Sequence, residues 1–77
     1  MTREEDRAKF VRLATSRVSS ALKAIQLIGN LSNRSNYDYT DDDVAKIFKA
    51  LQDELSGCRK KFDTAKKRDD KVAFSLD

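Results

Sequence analysis

Apolar residues recur along two stretches of this chain in alternating steps of three and four residues, and a polar segment separates the two stretches. The first row is Val11, Ala14, Val18, Ala21, Ile25 and Ile28, and the second is Val44, Phe48, Leu51, Leu55, Cys58, Phe62 and Ala65. This spacing is the heptad pattern of helices that pack along an apolar seam. The pattern predicts an all-α chain with two long helices.

Local signals place the start of the first helix near Thr2. Thr2 is followed three residues later by Glu5, which is the spacing of a capping box. Acidic residues fill the next positions through Asp6, where carboxylates favour the positive end of the helix dipole. We therefore expect a helix over about residues 2–32.

The polar segment between the two rows predicts a loop over about residues 32–40. It is rich in Asn, Ser and Asp, whose side chains hydrogen-bond to nearby backbone and favour turns. Thr40 is then predicted to be an N-cap, with Asp43 at the third helical position, and Tyr39 is expected to pack on Val44 as a hydrophobic staple.

The second helix is predicted over about residues 41–68. Its register continues formally beyond that point, but Asp69 interrupts the apolar row. We expect residues 69–77 to form a frayed helical end or a docking tail, and residues 1–68 to form one helical hairpin.

The short loop predicts that the two helices run antiparallel, and the first helix predicts that the hairpin dimerises. Phe10, Leu13, Ala24 and Leu31 lie beside its seam and Leu22 lies on the other side, so its apolar face spans about half of the cylinder. One partner helix cannot cover a face of this width, so we expect a homodimer that forms a four-helix bundle. The residues predicted to form the packing core and dimer core are Val18, Leu22, Ile25, Ile28, Ile47, Phe48, Leu51, Leu55, Cys58 and Phe62.

Composition argues against an enzyme. The 77 residues allow one domain at most, 38% of them are charged, and there is no His, the residue that most often serves as a general base or metal ligand. Helix capping explains the acidic run at residues 41–43 without a metal, and we expect no cofactor. One Cys, no leader peptide and no run of about 20 apolar residues predict a soluble, cytoplasmic protein.

Charge is distributed unevenly along the chain. Residues 1–23 carry six Lys and Arg against three acidic residues, and residues 56–71 carry seven against three, whereas residues 24–55 carry three against six. In a hairpin the two basic segments share the open end, and the acidic segment contains the loop. Two such hairpins are expected to pair head to tail.

The basic residues at the open end are candidates for nucleic-acid binding, because Lys and Arg can neutralise several phosphates. The candidate residues are Lys9, Arg12, Arg59, Lys60, Lys66 and Lys67. The structural alternative is that cations stabilise a helix C-terminus and pair with acids four residues away, as in Glu5 with Lys9, Asp42 with Lys46, and Asp63 with Lys67. We favour this alternative, because aromatic residues are not interleaved with the basic ones.

The loop is a second candidate surface, with Arg34 and Tyr37 as its candidate partner-binding residues. Turn chemistry accounts for the Asn and Ser residues around them, and the staple accounts for Tyr39. Tyr and Arg are enriched at protein interfaces. We therefore expect another protein to bind here.

The segment Asp53-Glu54-Leu55, followed by Cys58 and Phe62, resembles part of the second helix of the plasmid-encoded Rop family, RNA-binding homodimers of helical hairpins. This resemblance implies RNA binding as an alternative function. The loop here is longer than in that family, and no functional residue is carried across. The function expected first is a non-enzymatic interaction module, such as an adaptor, assembly factor or small inhibitor, that acts as a dimeric hairpin. The alternative is a small regulatory protein that binds RNA or DNA.

Overall fold

The structure, a computed structural model, describes the backbone of residues 2–75 and the side chains of residues 2–66. Over that part it contains helix α1 (Arg3–Gly29), a short 3₁₀ helix (Asn30–Ser32) and helix α2 (Asp41–Ser75), and no strand. The predicted all-α class is confirmed. The chain divides into two units, Met1–Asp38 and Tyr39–Asp77, and each is described by itself.

The predicted capping box at the start of α1 is confirmed. The hydroxyl of Thr2 accepts a hydrogen bond from the backbone N–H of Glu5 at 3.1 Å. In return, the Glu5 carboxylate accepts one from the backbone N–H of Thr2 at 3.4 Å. The helix therefore begins where its first orphan donors find side-chain partners.

Helix α1 ends by tightening rather than by a left-handed glycine cap. Gly29 keeps helical angles, with φ −58° and ψ −32°, and the chain continues into the 3₁₀ turn. Asn33 then adopts extended angles, with φ −71° and ψ 101°, and breaks the helical path. The polar segment that follows Ser32 thus ends the helix.

Helix α2 begins with a second capping box, which confirms Thr40 as the N-cap. The Thr40 hydroxyl accepts from the Asp43 N–H at 3.1 Å, and the Asp43 carboxylate accepts from the Thr40 N–H at 2.9 Å. Asp43 therefore takes the role that Glu or Gln fills in the usual motif. Tyr39 and Val44, the predicted staple, are both half-buried.

Ion pairs four residues apart run along the described part of α2. Lys46 pairs with Asp42 at 3.1 Å, as predicted. Lys49 pairs with Asp53 at 2.9 Å, and Arg59 with Asp63 at 3.5 Å. All six side chains are more than half exposed, so each pair adds only a few tenths of a kcal/mol, about 0.3–0.5.

Residues 69–77 were predicted to form a frayed helical end or a docking tail, and their side chains lie outside the described part of the chain. The backbone of α2 is helical through Ser75, and residues 76 and 77 are not described.

Candidate functional site

The apolar row of α1 is open to solvent in the single chain. Val18 and Leu22 are each 55% exposed and Ile25 is 48% exposed, whereas Ile28 is half-buried. Phe10 and Leu31, which flank this row, are also exposed. Four predicted core residues, Val18, Leu22, Ile25 and Ile28, thus lie in a continuous apolar strip along one helix.

The apolar row of α2 is similarly open. Leu55 is 71% exposed, Phe62 58% and Phe48 50%, whereas Leu51 is half-buried. Ile47, beside the row, is 37% exposed. Among residues 2–66 no side chain is buried. Large apolar side chains at heptad spacing are therefore the main chemical feature of this helix.

Cys58 lies in the same row, between Leu55 and Phe62, and its thiol is exposed in the single chain. The sequence suggested a buried thiol acting as a small hydrophobic side chain. In this row, burial of Cys58 would come from whatever covers Leu55 and Phe62.

The candidate nucleic-acid-binding residues are exposed where the structure describes them. Lys9 and Arg12 lie on α1, and Arg59, Lys60 and Lys66 on α2, while the side chain of Lys67 is outside the described part. Arg59 pairs with Asp63. The sequence analysis had paired Asp63 with Lys67. Arg7, a basic residue outside this set, lies with its guanidinium carbon 5.9 Å from the centre of the Phe10 ring.

The loop is organised around Asn33. Its side-chain oxygen accepts from the Ser35 N–H at 3.0 Å, and its carbonyl accepts from the N–H groups of Asn36 and Tyr37 at 3.1 and 3.0 Å. These bonds close a turn that holds Arg34 and Tyr37, the two predicted contact residues, within one tight segment. Tyr37 is 48% exposed.

The described residues contain neither a metal-binding cluster nor a membrane-spanning helix. No group of three or more Cys, Asp or Glu side chains there is arranged to hold a metal ion. No helix in that part of the chain has the length and apolar character needed to cross a membrane.

Comparison with known proteins gives no relative. No protein-family model matches the sequence, and neither curated proteins nor solved structures give a significant match.

Proposed function

We propose that this chain is a non-enzymatic protein-interaction module that assembles as a dimer of antiparallel helical hairpins. The supporting observation is the exposure of the heptad residues, exemplified by Val18 at 55% and Leu55 at 71%. Isolated helices are only marginally stable, and most helical stability in proteins comes from packing an apolar face. Burying one such side chain contributes about 1.5–3 kcal/mol. Association of the apolar rows is therefore the largest source of stability open to this chain.

A second copy of the chain is the proposed partner, because it would cover the apolar rows of α1 and α2 together. The eight residues of the loop, 33–40, favour antiparallel packing of α1 against α2 within one chain. The strip on α1 is wider than one helix can cover, because Phe10 and Leu31 extend it beyond the seam. Two hairpins forming a four-helix bundle would enclose both strips, in a cytoplasmic protein whose single thiol, Cys58, stays reduced.

Paired substitutions on adjacent residues of α1 test this assembly. Ile25→Glu places a charge in the apolar strip, whereas Gln26→Glu places the same charge on the polar face. We expect Ile25→Glu to weaken the dimer at least about a hundredfold, because each copy would bury an unpaired carboxylate. Gln26→Glu should leave the dimerisation constant within about threefold. Sedimentation equilibrium measures both, and equal effects of the two variants would contradict the proposal.

The turn around Asn33 is the proposed contact with another protein. It presents the exposed Tyr37 in the same turn as Arg34, on a backbone fixed by three hydrogen bonds. A pre-formed turn loses little conformational entropy on binding. The module would thus present its loop to a larger protein that it assembles with or inhibits.

Replacing Arg34 and Tyr37 together with Ala should abolish retention of a partner that the wild-type protein captures from its native cell. Ser35→Ala is the matched control, because only the backbone N–H of Ser35 takes part in the turn. Circular dichroism should show unchanged helicity in both variants. Capture that survives the double substitution would show that the loop is not the site.

Nucleic-acid binding is the alternative, and it would have to compete with the pair between Arg59, one of its candidate cations, and Asp63. Lys9→Glu with Lys60→Glu tests it, because loss of phosphate contacts weakens binding and reduces its salt dependence. We expect the wild-type protein to shift neither RNA nor DNA at low salt. A shift that high salt or these substitutions remove would favour the alternative.

A further inference from the structure

Helix α2 has two flanks beside its apolar row, and they differ in charge. We call the positions that precede Phe48, Leu55 and Phe62 the first flank; its residues are Ile47, Glu54 and Lys61. We call the positions that follow Leu51, Cys58 and Ala65 the second flank; its residues are Gln52, Arg59 and Lys66. Flank residues of this kind set partner orientation when two heptad helices meet.

The first flank keeps two opposite charges available. The ion pairs along α2 use Asp42 with Lys46, Lys49 with Asp53, and Arg59 with Asp63. Among the described residues, neither Glu54 nor Lys61 takes part in one of these pairs. Both side chains are exposed and lie seven residues apart, on the same side of the helix.

We propose that α2 of one chain packs antiparallel against α2 of a second copy, with Glu54 of each beside Lys61 of the other. This arrangement rests on the proposed dimer and deepens it by naming the helix pair and its register. It places Cys58 of one copy level with Leu55 of the other. Two symmetric ion pairs would then border the apolar contact.

The neighbouring antiparallel registers bring like charges together, because an antiparallel pair sets the same flank of each helix face to face. Moving the register by one heptad in one direction sets Glu54 against Glu54. Moving it in the other direction keeps two pairs of opposite charge, Glu54 with Arg68, but adds Lys61 against Lys61 and Arg59 against Arg59. Like charges on facing flanks are destabilising, so both shifts are disfavoured.

Parallel packing gives no net attraction. In a parallel pair, each first-flank residue of one helix faces the second-flank residue that lies five positions further along the other helix. Glu54 would face Arg59, which already pairs with Asp63 in its own helix at 3.5 Å. Lys61 would face Lys66, and the repulsion offsets that gain.

Disulfide formation by Cys58 can identify which residue of the second copy faces it, and therefore the register. A disulfide requires Cα atoms about 4.4–6.8 Å apart, so a disulfide between two copies forms only between residues at the same level of adjacent helices. In the proposed register Cys58 faces Leu55 of the second copy. In the two shifted registers it faces Phe48 or Phe62, and in a parallel pair it faces the second Cys58.

The test uses four chains in a glutathione redox buffer: the wild type, Phe48→Cys, Leu55→Cys and Phe62→Cys. Sedimentation equilibrium under reducing conditions first establishes that each chain forms the dimer. We expect Leu55→Cys to convert most of the protein to a covalent dimer, and the other three to give at least about tenfold less at the same redox potential.

The outcomes separate the register from the dimer. Absence of a reduced dimer in the wild type would remove the proposed function. A dimer in which another chain crosslinks best, or in which none crosslinks because the two α2 helices lie diagonally, would overturn the register and leave the dimer standing.

Exchanging the charges of Glu54 and Lys61 tests the proposed pairing independently of the disulfides. Glu54→Lys sets Lys against Lys61 of the second copy at both symmetric sites, and should weaken the dimer about three- to tenfold at low salt. Adding Lys61→Glu restores opposite charges and should return the constant to the wild-type value. A double variant as weak as the single one would contradict the pairing.

Discussion

At the scale of single residues, the two capping threonines determine where each helix begins. The hydroxyl of Thr40 satisfies one backbone donor of α2, and the Asp43 carboxylate satisfies a second. Thr2 and Glu5 do the same for α1. The Thr40 contacts set the boundary between the loop and α2, and the Thr2 contacts set the start of α1.

Thr40→Ala should destabilise the protein by about 1 kcal/mol, because it leaves the Asp43 N–H without its side-chain acceptor. The matched control is Thr64→Ala, an exposed position inside α2, where Ala has the higher helix propensity. Urea denaturation at fixed protein concentration measures both. Equal losses of stability in the two variants would show that capping by Thr40 contributes nothing.

Capping could be predicted from the sequence because it depends on residues three positions apart, whereas the ion pairs could be predicted only in part. Asp63 has a cation four residues away on each side, Arg59 and Lys67. The sequence analysis paired Asp63 with Lys67, whose side chain lies outside the described part of the chain. Asp63 pairs with Arg59 in the described part, and the pair of Lys49 with Asp53 likewise has its cation N-terminal to its acid.

At the scale of the elements, each helix carries an apolar strip along most of its described length, and α2 also contains one glycine. Gly57 lies in the helix interior, where glycine costs about 0.5–1 kcal/mol relative to Ala. A methyl group added at Gly57 would meet no atom within 4 Å. Its heptad position lies away from the apolar row, beside the exposed residues Lys60 and Lys61.

Gly57→Ala should therefore stabilise the protein by about 0.5–1 kcal/mol, measured as a higher urea midpoint. Gly29→Ala is the control, because Gly29 also has open space around it but lies at the end of α1, where helix propensity counts less. The control should gain less than half as much. A destabilised Gly57→Ala would indicate that a partner approaches α2 closely at this glycine, contrary to the proposed contact along Leu55 and Cys58.

The periodicity of the apolar residues predicted the two helices, but it does not specify how α1 ends. Gly29 is the residue at which a left-handed cap would be expected. It keeps helical angles instead, and the 3₁₀ turn and the side chain of Asn33 end the helical segment. A glycine permits a cap without requiring one, so this detail depends on local hydrogen bonds rather than on residue type.

At the scale of the whole molecule, the central feature is that large apolar side chains such as Leu22, Phe48 and Leu55 remain exposed in the single chain. The heptad spacing predicted which residues share a strip. It could not identify what covers each strip, because a period of 3.5 residues describes one helix and carries no information about its neighbour. The same limit applies to the loop residues Arg34 and Tyr37. Their turn depends on neighbouring residues in the sequence, whereas the sequence carries no information about the protein that they contact.

Thermal unfolding followed by circular dichroism, at protein concentrations from about 2 to about 200 μM, tests the central claim most directly. If the helices are stable only in the dimer, unfolding releases two chains and the midpoint rises with concentration. With an unfolding enthalpy of about 0.7 kcal/mol per residue, we expect the midpoint to rise about 5 °C for each tenfold increase. A midpoint independent of concentration, together with a helical monomer in sedimentation equilibrium, would contradict the claim.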